Sequence, residues 1–164
     1  MTDLCQRQQI SPLSLAERAE LEENDADNAL RILSRFSDRL LYVAGRGWAV
    51  WDGARFSFGG GELAAFEIAT ELRRMVEEEA NWIETHLDVS DRAVSLFLMS
   101  PKSRAVSGHP DPRAEARRLI RLKAAYERRE HATRCGNVER IAKALEYANA
   151  CGAFAVSRHG CTPA

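Results

Sequence analysis

Hydrophobic and polar positions alternate at short range in one part of the chain, residues 40 to 58, LLYVAGRGWAVWDGARFSF. Leu40 to Ala44 is rich in strand-forming side chains, Trp48 to Trp51 repeats the pattern, and Arg55 to Phe58 repeats it again. Gly45 and Gly47 lie between the first two segments and Asp52-Gly53 between the second and third. These are the residues that tight turns require, because they adopt positive φ at little steric cost. The spacing predicts a three-stranded antiparallel meander. A small sheet is marginal in water by itself, so this one needs helices packed on it.

The rest of the pattern is helical. Ser14-Leu15-Ala16-Glu17 has capping-box spacing and predicts a short acidic helix to about Glu23. Asn24 or Asp25 caps the next helix, in which Ala26, Ala29, Leu30, Leu33 and Phe36 recur with the helical period until Ser37-Asp38. After the break at Gly59-Gly60-Gly61, one long helix is predicted from Glu62 to about Thr85. Its apolar stripe is Ile68, Leu72, Met75, Val76, Trp82 and Ile83, and Glu77-Glu78-Glu79 reads as a solvated face. Ser90 caps a short helix to Met99, which Pro101 stops. Lys102 to Pro110 reads as a basic loop. Asp111-Pro112 supplies an N-cap and a first-turn proline for a helix to about His131. Gly136-Asn137 leads into a last helix from Val138 to about Ala150, closed by Gly152, with Ala153 to Val156 extended. The expected fold is α+β, mainly helical, with helices packed around the small three-stranded meander. A polar arm with a short helix covers 1–23, a single domain 24–152 and a C-terminal tail 153–164.

Trp48, Trp51, Phe56 and Phe58 bring much aromatic area to one small sheet. They can be the core beneath the helices or a platform on which bases stack. Core is the preferred reading, because the sheet has few other sources of buried area.

Charge changes the picture more than composition does. The formal net charge is −1, yet residues 62–91 hold nine carboxylates against two arginines, and residues 101–140 hold eleven Lys or Arg against five carboxylates. On the helix that starts at Asp111, a rotation of 100° per residue puts Arg113, Arg117, Arg121 and Arg128 within about 80° of one another. Arg118 and Arg129 flank them, and Ala116, Leu119, Ile120, Leu122 and Tyr126 take the other side. The guanidinium is a planar fork suited to phosphate oxygens, so such a row can follow a nucleic-acid backbone without reading its sequence. Lys102 and Arg104 in the preceding basic loop extend it. One competing reading sets the acidic helix of residues 62–85 against this basic one, within one chain or between subunits of a homo-oligomer, and another leaves the arginines as a plain solvated face.

Other chemistry is sparse. There is no GxxxxGK[ST] phosphate loop and no GxSxG nucleophile turn, and the meander carries one carboxylate, Asp52, at a turn. Neither nucleotide hydrolysis nor primer synthesis is expected of these residues, and no cofactor is expected. His131, Cys135, Cys151, His159 and Cys161 are zinc-ligand types without the paired CxxC spacing, so no metal is expected either. His109 has no evident nucleophile beside it. No apolar run approaches the roughly 20 residues that span a bilayer. The N-terminus lacks the basic and apolar regions of a secretory signal. A cytoplasmic chain with free thiols is therefore expected.

One set of motifs is shared with a known family. Asp27-Asn28-Ala29 with Arg35-Phe36, then Leu41-Tyr42-Val43, Gly47-Trp48 and Val50-Trp51-Asp52-Gly53, resembles the start of the primase-helicase proteins of phages and plasmids. In that family a helix near an Asp-Asn-Ala runs into an LRYV…GWxxWDGxRW meander and a long helix. A later HA…SGN…RI segment is matched by His131-Ala132 and by Gly136 to Ile141. The likeness covers roughly residues 24–150. It implies a domain that precedes a helicase ATPase domain in replication proteins. With the arginine row it gives the expected function: a non-catalytic module that holds or guides DNA. The alternative is an oligomerisation or protein-interaction domain.

Overall fold

The computed structural model describes residues 12–43 and 45–158, the last eight as backbone. Helices α1 (Leu15–Glu20) and α2 (Asp25–Phe36) lead into strands β1 (Leu40–Val43), β2 (Gly47–Trp51) and β3 (Phe56–Ser57). Helices α3 (Gly61–Ala69), α4 (Leu72–His86) and α5 (Asp91–Met99) follow. A 3-10 helix (Pro101–Val106), α6 (Pro112–Cys135) and α7 (Val138–Arg158) complete the described residues. The mainly helical α+β fold with a three-stranded antiparallel meander is thus the observed one.

The meander forms where the alternation and the turn residues put it. The strands run in the order β1-β2-β3, with Leu40 opposite Val50, Tyr42 opposite Trp48, and Trp51 opposite Phe56. Gly45 and Gly47 hold φ of 77° and 84°, and Gly53 holds 103°. Asp52 closes the second turn by accepting hydrogen bonds from the Ala54 and Arg55 N–H groups, both at 2.9 Å. The aromatic residues divide. Trp48 enters the main core with Leu40, whereas Trp51 stays 42 % exposed and Phe56 and Phe58 are half-buried.

The caps fall as their side chains dictate. Ser14 and Glu17 complete a reciprocal capping box on α1. The Asn24 side chain accepts the Asp27 N–H on α2, and Asp111 accepts the Arg113 and Ala114 N–H groups on α6. Several expectations are corrected. The long helix predicted from Glu62 is two helices, because Thr70 and Glu71 tighten the chain with bonds to carbonyls three residues back. The break lets α3 pack on β2 while α4 turns to lie along α6. Half of the loop predicted over Lys102 to Pro110 is the 3-10 helix, capped by the Ser100 hydroxyl. The stretch predicted as extended, Ala153 to Val156, continues α7. The arm over residues 1–11 and the last residues, 159–164, lie outside the described residues.

The principal core joins α2, the inner sheet face, α3, α4 and α7, and includes Ile32, Phe36, Trp48, Leu72, Met75, Ile141 and Leu145. A smaller cluster of Val89, Val94 and Ala116 with Phe97, Leu98 and Ile120 ties α5 to the first half of α6. Gly61 marks the closest approach of helix to sheet. A Cβ there would land on the Trp48 carbonyl. The neighbouring Glu62 carboxylate accepts the Trp48 N–H at 3.2 Å.

Candidate nucleic-acid interface

Helix α6 runs past two different neighbours, and this decides the fate of its arginines. Its first half lies against α5 and the 3-10 helix; the longer contact is with α4. The expectation that Arg128 lies on an open face with Arg113, Arg117 and Arg121 is corrected: Arg128 is 8 % exposed. Its Nη1 donates to Glu79 Oε2 at 2.7 Å, and its Nη2 donates to the Ala19 and Leu21 carbonyls. Arg129 pairs with Glu84 of α4 and donates to Asn81. The acidic and basic helices therefore meet within the chain at this end.

Glu79 was expected on a solvated face with Glu77 and Glu78, and it is fully buried. Arg31 from α2 grips it from the other side, with Nε 2.9 Å from Oε1 and Nη2 3.0 Å from Oε2. The remaining Arg31 N–H groups reach the Glu22 and Leu21 carbonyls and Asn28 Oδ1. One carboxylate thus holds two guanidiniums, and their other protons fix the carbonyls that end α1. Burying three charges is tolerable only when each is hydrogen-bonded in this way. No periodic signal marked Arg31 or Glu79, since both sit where an amphipathic pattern expects either apolar or exposed residues.

Beside this node lie Asn28, His131 and Cys135. Cys135 Sγ is 3.2 Å from His131 Nε2, and the same nitrogen is 3.2 Å from Asn28 Oδ1. These are the residue types of a cysteine nucleophile, but their setting silences them. Burial, with the Arg31 charge next, pulls His131 down to about 4, while burial pushes the Cys135 thiol up to about 11. A neutral thiol beside a neutral imidazole with 1 % exposure is a packed polar contact. The other zinc-type candidates, the Cys151 side chain, His159 and Cys161, lie outside the described residues. Among the described residues no three His, Cys, Asp or Glu side chains are grouped to hold a metal ion.

The first half of α6 remains open. Arg113 and Arg117 share one carboxylate, Asp91 Oδ1, at 3.2 and 2.6 Å, and Asp91 is 75 % exposed. These two arginines hold the Asp91 carboxyl below its ordinary range, the Arg113 hydrogen bond contributing most. Arg118 makes a two-pronged contact with Glu115, which lowers the Glu115 carboxyl. Arg121 is half-buried, its Nε donating to the Leu87 carbonyl at 2.8 Å. Lys102 and Arg104 stand exposed on the 3-10 helix, with no ion pair among the described residues. Sequence reasoning missed Arg92, equally exposed on α5 and likewise without an ion pair among the described residues. The packing of α5 on α6 brings it to the same corner. Across residues 88–122 the corner holds seven Lys or Arg against four carboxylates.

Among the described residues no helix is long and apolar enough to cross a membrane. Compared with known proteins, the chain matches a family model described as "D5 N terminal like" over residues 29–159. No curated protein and no solved structure matches it.

Proposed function

Given that the chain belongs to the D5 N-terminal-like family, the N-terminal domain of phage- and plasmid-type primase-helicase proteins, we propose that it is a non-catalytic module that holds or guides DNA. Contact is made through the corner formed by α5, the 3-10 helix and the first half of α6. The observation that carries this reading is the excess of seven cations over four carboxylates there. Arg92, Lys102 and Arg104 have no ion pair among the described residues, and Arg113 and Arg117 lean on a single exposed Asp91. An exposed pair of that kind is weakened by solvent, so a phosphate oxygen can take the place of Asp91 at little cost. Arg118 adds a further exposed guanidinium, while Arg128 and Arg129, held by Glu79 and Glu84, leave the proposed contact set. Binding is backbone electrostatics: each phosphate contact releases counterions, and affinity falls steeply with salt.

The alternative, acidic and basic helices meeting between subunits, has less support, because the charges it needs on α4 and α6 already pair within the chain. The test is fluorescence anisotropy with labelled DNA across a salt series, with light scattering on the same samples. Changing Arg92, Lys102, Arg104, Arg113 and Arg117 to glutamine should weaken binding uniformly across sequences. Each lost phosphate contact should flatten the log–log salt slope by about one. A wild type that binds no DNA at low salt, or a variant that binds as well as wild type, overturns the reading. A defined oligomer without DNA binding would favour the alternative.

A further inference from the structure

The outer face of the meander is not used by that reading. Trp51 and Phe56 are cross-strand partners, and the Trp51 N–H donates to the Arg39 carbonyl at 3.0 Å, which sets Arg39 beside Trp51 at the end of β1. Directly opposed residues of a sheet point to the same side. Trp51 and Phe56 therefore share the side of the sheet away from Leu40 and Trp48, which face the core, and the exposed Arg39 adjoins Trp51 along the backbone just ahead of β1. The Trp51 and Phe56 rings meet edge to face, with centroids 5.2 Å apart and planes at 64°, and Trp51 keeps 42 % of its surface exposed. The Arg55 side chain beside them is 85 % exposed, and Arg46 lies over the Phe58 ring at 4.4 Å. Residues 39–58 carry three arginines and one carboxylate. That carboxylate, Asp52, accepts the turn N–H groups it caps and lies 3.9 Å from Arg55 Nε, a long and exposed pair that a phosphate can replace.

A partly exposed indole braced edge-on by the Phe56 ring, with Arg39 and Arg55 next to the two residues along the backbone, suits a ligand with a π-face and flanking negative charge. Nucleobases in a duplex already have both faces covered, whereas an unpaired base offers one. We propose that the Trp51–Phe56 pair is a stacking platform for a base of single-stranded nucleic acid, with the neighbouring Arg39 and Arg55 meeting the flanking phosphates. The proposal deepens the DNA-guiding reading and rests on it for the class of ligand, but it uses a different face. It gives the module a preference for unpaired strands that backbone contacts alone cannot supply.

The experiment compares three labelled probes of equal length: oligo-dT, an abasic strand with the same phosphates, and a duplex. Wild type should bind oligo-dT at least about tenfold more tightly than the abasic strand, the scale of one base stacked on an aromatic ring. Trp51→Ala should erase that difference and leave duplex affinity unchanged, while Trp51→Phe should restore most of it. Arg39→Gln with Arg55→Gln should weaken both single strands alike. Circular dichroism of each variant guards against misfolding, and Trp51→Phe keeps the test decisive if Trp51→Ala unfolds. Equal wild-type affinity for dT and abasic strands, or full dT binding by Trp51→Ala, overturns the platform; in the second case the exposed indole belongs to a protein neighbour. Either result leaves duplex binding by the α5–α6 corner standing. Failure of the corner reading instead appears as loss of duplex binding in wild type.

Discussion

Replacing Glu79 by glutamine keeps the shape of the side chain and removes the negative charge that two buried guanidiniums share. In the native chain Arg31 Nε and Nη2 and Arg128 Nη1 donate to this carboxylate at distances from 2.7 to 3.2 Å, and both Arg31 and Glu79 are fully buried. After the change both cations keep their carbonyl acceptors at the end of α1 but lose their counter-charge, and the new amide nitrogen turns a donor toward donors. Breaking a buried pair by removing one partner costs about 3–5 kcal/mol. A domain of this size is stable by about 5–15 kcal/mol, so the loss is a large fraction of the total. At about 2–4 °C per kcal/mol the melting temperature should fall by roughly 10 °C. The assay is thermal and urea unfolding followed by circular dichroism at pH 7, with Arg128→Met and the double variant completing a mutant cycle. Limited proteolysis should show new cleavage between α1 and α2, because the carbonyls of that segment are what the two arginines hold. A cost below about 1 kcal/mol, the range of an exposed pair, would refute the reasoning.

Other outcomes follow from the same core and from the helix–sheet contact. His131 is held neutral with its pKa lowered to about 4, against the ordinary value of about 6.5. Its contribution is complete above pH 6.5 and is lost as the pH falls toward 4, because the unfolded state takes up the proton first. Between pH 7 and pH 5 this amounts to about 2 kcal/mol. His131→Leu should flatten that part of the stability profile, and an unchanged slope in the variant would assign the pH dependence to other groups. Gly61→Ala should cost more than about 2 kcal/mol, since its Cβ meets the Trp48 backbone. Gly59→Ala, which meets only the Ser57 hydroxyl at ordinary contact distance, should stay within about 0.5 kcal/mol. Equal denaturation midpoints for the two glycine variants would remove the close approach as the explanation.

The parts of the fold that could be read in the sequence were those set by local chemistry. The meander was legible because Asp52-Gly53 and the paired glycines permit few other conformations, and the caps at Ser14, Asn24 and Asp111 were legible for the same reason. What could not be read depended on partners distant in sequence. Helical projection puts Arg128 in line with Arg113, Arg117 and Arg121, but projection assumes one environment along the whole helix. Over the 24 residues of α6 the neighbour changes from α5 to α4, so the same angular face meets solvent at one end and Glu79 at the other. The buried pairing of Arg31 with Glu79 joins residues 48 positions apart, and no periodicity encodes that. Arg92 was passed over for a similar reason: only the packing of α5 brings it to the corner.

The arginine node also has a practical consequence for where this domain can be cut. The recognisable family segment starts at residue 29, whereas the carbonyls of Ala19, Leu21 and Glu22 that saturate Arg31 and Arg128 come earlier in the chain. An expression clone trimmed to the family boundary would leave two interior cations with bare protons and discard α1 with its cap. Recombinant versions should therefore begin ahead of Ser14, and a poorly soluble shorter clone would say more about its start site than about the domain.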